Sequence, residues 1–229
     1  MQNIWRWSEF RLAAALAVVT AVTALPAPAQ VSGKVTITDV GGKLATDVGN
    51  AVVYLEGHGR RAEPVRVEMT LDGRSFSPRV VVVPVGSTVV FPNRDPFNHN
   101  VFSLSDPNAF DLGLYGRGQK AEHRFRRPGV VAVFCNIHPR MVGFIVVRDN
   151  AYFTQPGADG SFTIPGVEPG SYTLHVWFER AAEFTQQIAV PEGGVADLVV
   201  ALDASGYRYA QHKNKYGRDY GSGETRERY

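Results

Sequence analysis

Residues 133–143 read Val-Phe-Cys-Asn-Ile-His-Pro-Arg-Met-Val-Gly and lie between two valine-rich runs. This stretch contains the only cysteine of the chain, Cys135, followed after three residues by His138 and after three more by Met141. A blue-copper site needs a cysteine and two histidines in a roughly trigonal plane with a weak axial methionine, because such ligands suit both Cu(I) and Cu(II). The stretch therefore favours copper, and one histidine must come from elsewhere in the chain.

The N-terminal segment predicts export. Arg6 and Arg11 precede an apolar, alanine-rich run over residues 12–25, and small residues at 27–29 suit cleavage by a signal peptidase. This pattern is typical of a secretory signal peptide, here over residues 1–29. The run is short for a membrane span, and a retained membrane anchor is the alternative. We expect a periplasmic or secreted protein.

Composition limits the classes of partner. The chain has 24 Lys and Arg residues against 22 Asp and Glu residues, and this near balance argues against a nucleic-acid partner. A single cysteine cannot form an internal disulfide. Because a free thiol is a liability in an oxidising compartment, export favours occupation of Cys135 by a metal.

Alternating segments near both ends of the mature chain predict β-strands. Residues 31–39 and 51–56 form two short alternating runs with glycines in the turn between them. Residues 157–177 predict a turn, a strand, a second turn and another strand, and residues 187–190 and 197–202 predict two more strands. The two blocks together have the strands of a small all-β domain.

These blocks resemble the carboxypeptidase-regulatory or transthyretin-like sandwich. The likeness rests on the Gly-x-Val opening at Gly33, on Ala-x-Val-x-Leu at residues 51–55 and on Pro-Gly-x-Tyr-x-Leu at residues 169–174. The pattern is contiguous in that family, whereas roughly ninety residues separate its halves here, so we expect a second domain inserted in a loop, where closure entropy grows slowly with length.

The insertion defines the predicted domain boundaries. The transthyretin-like domain takes residues 31–62 plus 150–203, and the inserted domain takes residues 63–149. The fold class is then all-β, with two small Greek-key β-sandwiches. A simple tandem, in which residues 31–55 add strands to the second domain, is the alternative.

The inserted block resembles the cupredoxins, most closely the plastocyanin and amicyanin branch. Residues 76–93 predict two strands joined at residues 84–87, and His99-Asn-Val follows an Asp-containing turn. The closing strand matches Gly-x-Ile-x-Val at residues 143–147. By this resemblance His99 is the missing histidine.

The resemblance implies that His99, Cys135, His138 and Met141 are the ligands of one type 1 copper ion. The short Cys-x-x-His-x-x-Met spacing is similar to that of amicyanin. Each residue alone has a simpler interpretation, since a lone cysteine or methionine is more often core filler and a lone histidine is often structural. The four together favour copper.

Three further residues acquire roles by the same resemblance. Asn100 matches the position whose backbone N–H bonds the cysteine sulfur and ties the two ligand loops together. Phe97 and Pro139 are expected to flank His138 in a hydrophobic patch where redox partners dock. The other histidines are interpreted as structural or solvated: His58, His123, His175 and His212.

Residues 204–229 are interpreted as a disordered basic tail. The segment interleaves tyrosines, glycines and basic residues and lacks aliphatic periodicity. A docking arm for an acidic partner or surface is the alternative.

The predicted function is transfer of single electrons between redox partners. Four protein ligands leave no open position for a small-molecule substrate, so we do not expect an enzyme, and a multicopper oxidase would need more than the six histidines present. The domain pair resembles methylamine-utilisation proteins, and the likeness to amicyanin implies a cytochrome c or a dehydrogenase as partner. The alternatives are a periplasmic copper carrier and an envelope structural module with incidental copper.

Overall fold

A computed structural model describes residues 29–220, which fold into 17 strands and one short 3-10 helix, Val48–Asn50. The predicted all-β fold is confirmed. Within the described residues no helix has the length and apolar character to cross a bilayer. The predicted signal peptide falls, apart from Ala29, on residues outside the described part and stays a prediction.

The strands are, in chain order, β1 (Gln30–Thr38), β2 (Val52–Glu56), β3 (Arg66–Glu68), β4 (Thr70–Asp72), β5 (Ser75–Ser77), β6 (Val80–Pro84), β7 (Thr88–Pro92), β8 (His99–Ser103), β9 (Phe110–Tyr115), β10 (Lys120–Arg124), β11 (Gly129–Cys135), β12 (Val142–Arg148), β13 (Phe153–Thr154), β14 (Ser161–Pro165), β15 (Gly170–Trp177), β16 (Phe184–Val190) and β17 (Val195–Asp203).

Strands from both ends of the chain share two sheets, which we call the flanking sandwich. One sheet has the order β14-β1-β17 and the other the order β13-β2-β15-β16. In the first, β1 pairs antiparallel with β14 and parallel with β17. Apolar side chains of both sheets meet in one buried core, to which β2 contributes Val53 and Leu55. The flanking sandwich therefore needs strands that are far apart in sequence.

The strands between β2 and β13 form a second sandwich, which we call the inner sandwich. Its sheets have the orders β10-β7-β3 and β6-β12-β11-β8-β9, with a small β4-β5 hairpin beside them. The turn at residues 84–87 joins β6 and β7, which lie in different sheets, so it carries the chain across the sandwich. Buried side chains from both sheets, including Cys135 and Met141, form its core.

The two sandwiches pack against each other through strands that are buried on both faces. In β2, Val53 and Leu55 face the flanking core, whereas Val52 and Tyr54 join a separate cluster with Val80 of β6 and Val146 of β12. This explains why the valine runs in these strands do not alternate with polar residues, since a strand covered on both sides reads as continuously apolar.

Charged side chains make further contacts between the two sandwiches. The guanidinium of Arg79 in the inner sandwich donates to both carboxylate oxygens of Glu179 in the flanking sandwich, at 2.8–3.2 Å. The guanidinium carbon of Arg148 lies 3.6 Å from the centre of the Tyr54 ring. A bidentate pair fixes geometry as well as adding energy, so these contacts set the orientation of one sandwich on the other.

The described part of the predicted tail, residues 204–220, contacts the inner sandwich. After β17 the chain crosses the inner sandwich, where Tyr209, Lys215 and Tyr220 make hydrogen bonds to it. Aromatic rings and donors of the tail find acceptors on the surface of residues far away in the sequence, which the composition of the tail alone does not reveal. Residues 221–229 lie outside the described part.

Burial of β2 on both faces predicts an equal response to truncation on either side. Val52→Ala and Val53→Ala should each lower the free energy of unfolding by roughly 2 kcal/mol, because each removes two buried methyl groups and leaves a cavity. Chemical denaturation of the purified protein measures this. Val199→Ala, at a side chain that is 76% exposed, is the control and should change the free energy of unfolding little. If only Val53→Ala lowered the free energy of unfolding, the face of β2 that carries Val52 would not be covered.

Candidate metal centre

Two paired strands bring the first ligand groups together. His99 is the first residue of β8 and Cys135 is the last residue of β11, and the two strands run antiparallel with Cys135 opposite Val101. In an antiparallel pair the start of one strand lies at the same end of the sheet as the finish of the other, so His99 and Cys135 meet although they are 36 positions apart in the sequence. His138 follows in the loop between β11 and β12.

The three side chains converge on one point. The Nδ1 atoms of His99 and His138 each lie 3.5 Å from Sγ of Cys135, and the three atoms all lie within 4.8 Å of one another. His99 and Cys135 are fully buried and His138 is partly exposed. In residues 29–220 this is the one group of three or more His, Cys, Asp or Glu side chains with metal-binding spacing.

Met141 closes the ligand loop. Its N–H donates to the carbonyl of His138 at 2.9 Å, and its carbonyl accepts from the N–H of Cys135 at 3.2 Å. Its side chain is buried in the core that contains Cys135. The loop of residues 135–141 is therefore short and tied to itself by backbone hydrogen bonds.

Asp95, a residue that the sequence motifs alone do not single out, orients His99. Its Oδ2 atom lies 2.8 Å from Nε2 of His99, and its carboxylate also accepts the backbone N–H groups of Gly73 and Arg74 in the β4-β5 turn. A carboxylate on the far nitrogen fixes the tautomer and leaves the other nitrogen free to bind a metal. The Asp-x-x-x-His spacing was a visible signal, but the turn that holds Asp95 was not.

The buried environment sets the protonation of the ligands. Burial lowers the pKa of His99, against the opposing effect of Asp95. Burial, followed by repulsion from His99, lowers the pKa of His138 to about 4. Both imidazoles are therefore neutral near pH 7, the form that binds metals.

The pKa of the Cys135 thiol shifts in the opposite direction from the pKa of the two histidines. Burial raises its pKa, although the backbone N–H groups of Asn100, Ile137 and His138 point at the sulfur and lower it in part. Metal binding must therefore displace a proton from Cys135. The same N–H groups then bond the thiolate.

Asn100 links the two ligand-bearing segments. Besides the N–H directed at Cys135, its carbonyl accepts the N–H of Asn136 at 3.3 Å. Its side chain donates to Asp111 at 2.6 Å and to the carbonyl of Gly113 at 2.9 Å, both on β9. Asn100 thus connects β9 to the ligand loop.

Phe97 and Pro139 lie where the docking prediction places them relative to His138. The Phe97 ring is 5.3 Å from the His99 ring and 5.4 Å from the His138 ring, and it is partly exposed. Pro139 is also partly exposed, and its carbonyl accepts the hydroxyl of Tyr209. A small apolar surface therefore borders the accessible edge of the site.

The remaining histidines pack against aromatic rings and do not join the three ligand groups. His58 stacks on Tyr172, His123 on Phe110, His175 on Tyr54 and His212 on Phe134. The donor set of the site itself fits copper, because it combines a thiol with two neutral imidazoles beside a buried methionine. An oxygen-rich site for Mg²⁺ or Ca²⁺ would look different.

Comparison with known families agrees with this donor set. Residues 65–148 match the copper binding proteins of the plastocyanin/azurin family, and residues 141–198 match domain II of polysaccharide lyase family 4. Residues 65–148 therefore form a copper-binding cupredoxin domain. The transthyretin-like resemblance of the flanking strands stays a prediction. Among curated proteins, none matches the chain.

Several solved structures are similar to part of the chain. The Cu-containing nitrite reductase (NirK) from Thermus scotoductus SA-01 is 31% identical over 42% of this chain, with a TM-score of 0.36, and the match spans 25% of that protein. A purple cupredoxin from Nitrosopumilus maritimus is 26% identical, covering 50% of this chain and 99% of that one, with a TM-score of 0.30. Amicyanin from Paracoccus versutus is 24% identical, covering 36% and 81%, with a TM-score of 0.34.

The contact between Asp95 and His99 predicts a loss of copper affinity on substitution. Asp95→Asn should weaken copper binding by about 10- to 100-fold, because the amide cannot accept hydrogen bonds from both His99 and the β4-β5 turn. Competition with a Cu(I) chelator measures the affinity. Asp72→Asn, an exposed change on β4, is the control, and equal affinities for both variants would contradict the role of Asp95.

Proposed function

We propose that this protein is an exported type 1 copper protein that carries single electrons between redox partners. The copper ligands are His99, Cys135, His138 and Met141. The observation that carries the proposal is the convergence of two imidazole nitrogens and one thiol sulfur within 4.8 Å, beside a buried methionine. Copper bound there supplies a one-electron couple between Cu(II) and Cu(I).

The protein's part is to hold the ligands still. His99 is fixed by Asp95, Cys135 by strand pairing and by three N–H groups, and the loop by its own backbone bonds. Burial keeps water away from the sulfur. A site whose ligands are held in place changes little on reduction, so an electron can enter and leave without rearrangement of the loop.

The ligand set favours electron transfer over catalysis. A metal that acts on a substrate keeps an open coordination position, and four protein ligands occupy the positions here. Within residues 29–220 no second cluster is available to bind further copper ions. The proposed role is therefore that of an electron carrier.

Electrons are proposed to enter and leave the site through the exposed edge of the His138 ring. Phe97 and Pro139 border it with apolar surface. Arg74, which lies over the Phe97 ring, and Arg140, which follows Pro139, are exposed and form no ion pair within the described residues. Complementary charge steers the encounter of redox proteins. The partner is accordingly a redox protein, such as a cytochrome c or a dehydrogenase, with an acidic face.

An absorption spectrum tests the ligand assignment. Copper-loaded protein should show an intense band in the red from thiolate-to-copper charge transfer, and a reductant should bleach it. Cys135→Ser should abolish the band, because a hydroxyl does not supply a soft thiolate. His123→Gln, which changes a histidine remote from the site, is the matched control. A wild-type protein without the band would contradict the proposal, and rapid loss of copper to chelators would favour copper carriage.

Substitution of Pro139 tests whether the redox partner docks on the apolar surface beside His138. Pro139→Glu should slow electron exchange by roughly 10-fold without changing the colour, because a charge must be desolvated when the partner docks. Stopped-flow kinetics with a cytochrome c of matched potential measures the rate. Pro191→Glu, on an exposed turn of the flanking sandwich, is the control, and equal rates would exclude this border as the docking surface.

Charge reversal at Arg140 tests the kind of partner. Arg140→Glu should slow reduction by an acidic cytochrome c several-fold at low ionic strength, and the difference should shrink as salt screens the charges. Arg126→Glu, in the turn before β11 and thus at the other end of the inner sandwich, should change the rate little. If Arg140→Glu instead increased the rate with the acidic cytochrome c, the assignment of an acidic face to the partner would be wrong.

A further inference from the structure

Part of the C-terminal segment lies directly on the ligand loop. We call residues 207–220 the strap. The Tyr209 hydroxyl donates to the carbonyl of Pro139 at 3.1 Å, the Lys215 N–H donates to Oδ1 of Asn136 at 2.9 Å, and the Tyr220 hydroxyl donates to the carbonyl of Cys135 at 3.3 Å. All three acceptors belong to the ligand loop, so the strap contacts this loop at its first two residues and at Pro139.

The strap also reaches the second ligand-bearing segment. The Lys215 ammonium pairs with Oδ2 of Asp111 at 2.8 Å, and Oδ1 of Asp111 accepts the side-chain amide of Asn100 at 2.6 Å. The backbone N–H of Asn100 in turn points at the sulfur of Cys135. A cation of the strap is therefore connected to the ligand sulfur through two intervening residues.

Aromatic packing seats the strap on the sheet. The His212 ring stacks on Phe134 with centroids 4.4 Å apart and meets Phe102 edge to face at 6.1 Å. Phe134 and Phe102 lie opposite each other on β11 and β8, the strands that carry Cys135 and His99. Tyr220 packs its ring against His212 at 5.4 Å. The strap thus covers the outer face of the strand pair from which the site is built.

We propose that the strap is an integral part of the copper centre, in which Lys215 and Tyr220 are positioning residues that hold the ligand loop, slow the release of copper and raise the reduction potential. This inference rests on the proposed function, because it concerns the same site. It goes beyond it by assigning a role to a segment outside the cupredoxin domain.

The direction of each effect follows from the contacts. Without the strap, the loop keeps its internal hydrogen bonds but loses three external ones, so it opens more often and releases metal faster. A hydroxyl dipole on the Cys135 carbonyl and the Lys215 charge behind Asn100 both stabilise the reduced site, which carries one more electron than the oxidised site. Removal of either group should therefore lower the reduction potential.

Two conservative changes in the full-length chain test the inference. Tyr220→Phe removes the hydroxyl and keeps the ring, and Lys215→Gln removes the charge. Tyr216→Phe and Lys213→Gln are matched controls in the same segment, since both residues are exposed. Three quantities are measured: amide exchange of residues 135–141 in the metal-free protein, the rate of Cu(I) transfer to bathocuproine disulfonate, and the reduction potential.

The expected result is a common pattern in the two test variants. Each should release copper roughly 3- to 10-fold faster than wild type, as the loss of about one hydrogen bond implies, with faster loop exchange and a lower potential, while both controls match wild type. If wild-type protein shows the red band but both test variants keep wild-type loop exchange, copper release and reduction potential, the inference about the strap is wrong and the proposed function still stands. Absence of the band in wild type would refute the proposed function, and unchanged amide exchange would then refute the strap contact separately.

Discussion

The antiparallel pairing of β8 with β11 is the constraint on which the site depends. It brings the first residue of β8 and the last residue of β11 to the same end of a five-stranded sheet, and in this way places His99 next to Cys135. The backbone hydrogen bonds of the sheet fix this proximity before any metal binds. A single residue of slippage would turn side chains to the opposite face and separate the nitrogen from the sulfur.

The surroundings of the strand pair add rigidity from three directions. Below it, the β4-β5 turn holds Asp95, which fixes the ring of His99. Beside it, β9 holds Asn100. Across its outer face lies the strap of residues 207–220, and each contact comes from a different part of the chain. Electron transfer benefits from such a framework because the ligands need not move when the charge on the metal changes.

The flanking sandwich packs against the inner sandwich and so fixes the position of the site. The shared cluster around Val52, Tyr54, Val80 and Val146 is a continuous apolar contact, and the Arg79–Glu179 pair orients it. Because β17 ends the flanking sandwich and the strap follows directly, the position of the flanking sandwich decides where the strap begins. The two sandwiches are therefore coupled through both a packed interface and a covalent connection that returns to the ligand loop.

The sequence by itself determined the all-β class and the copper chemistry. Strand alternation is local, and Cys135, His138 and Met141 lie within one loop, so their chemistry is visible at short range; a family likeness added His99. Only the tertiary structure decided that β2 is covered on both faces, that Asp95 is held by the turn at Gly73 and Arg74, and that residues 204–220 lie on the ligand loop. The physical reason is that these contacts join segments far apart in the chain, where the partner of a hydrogen bond or an apolar face is set by three-dimensional packing and leaves no periodic trace in composition.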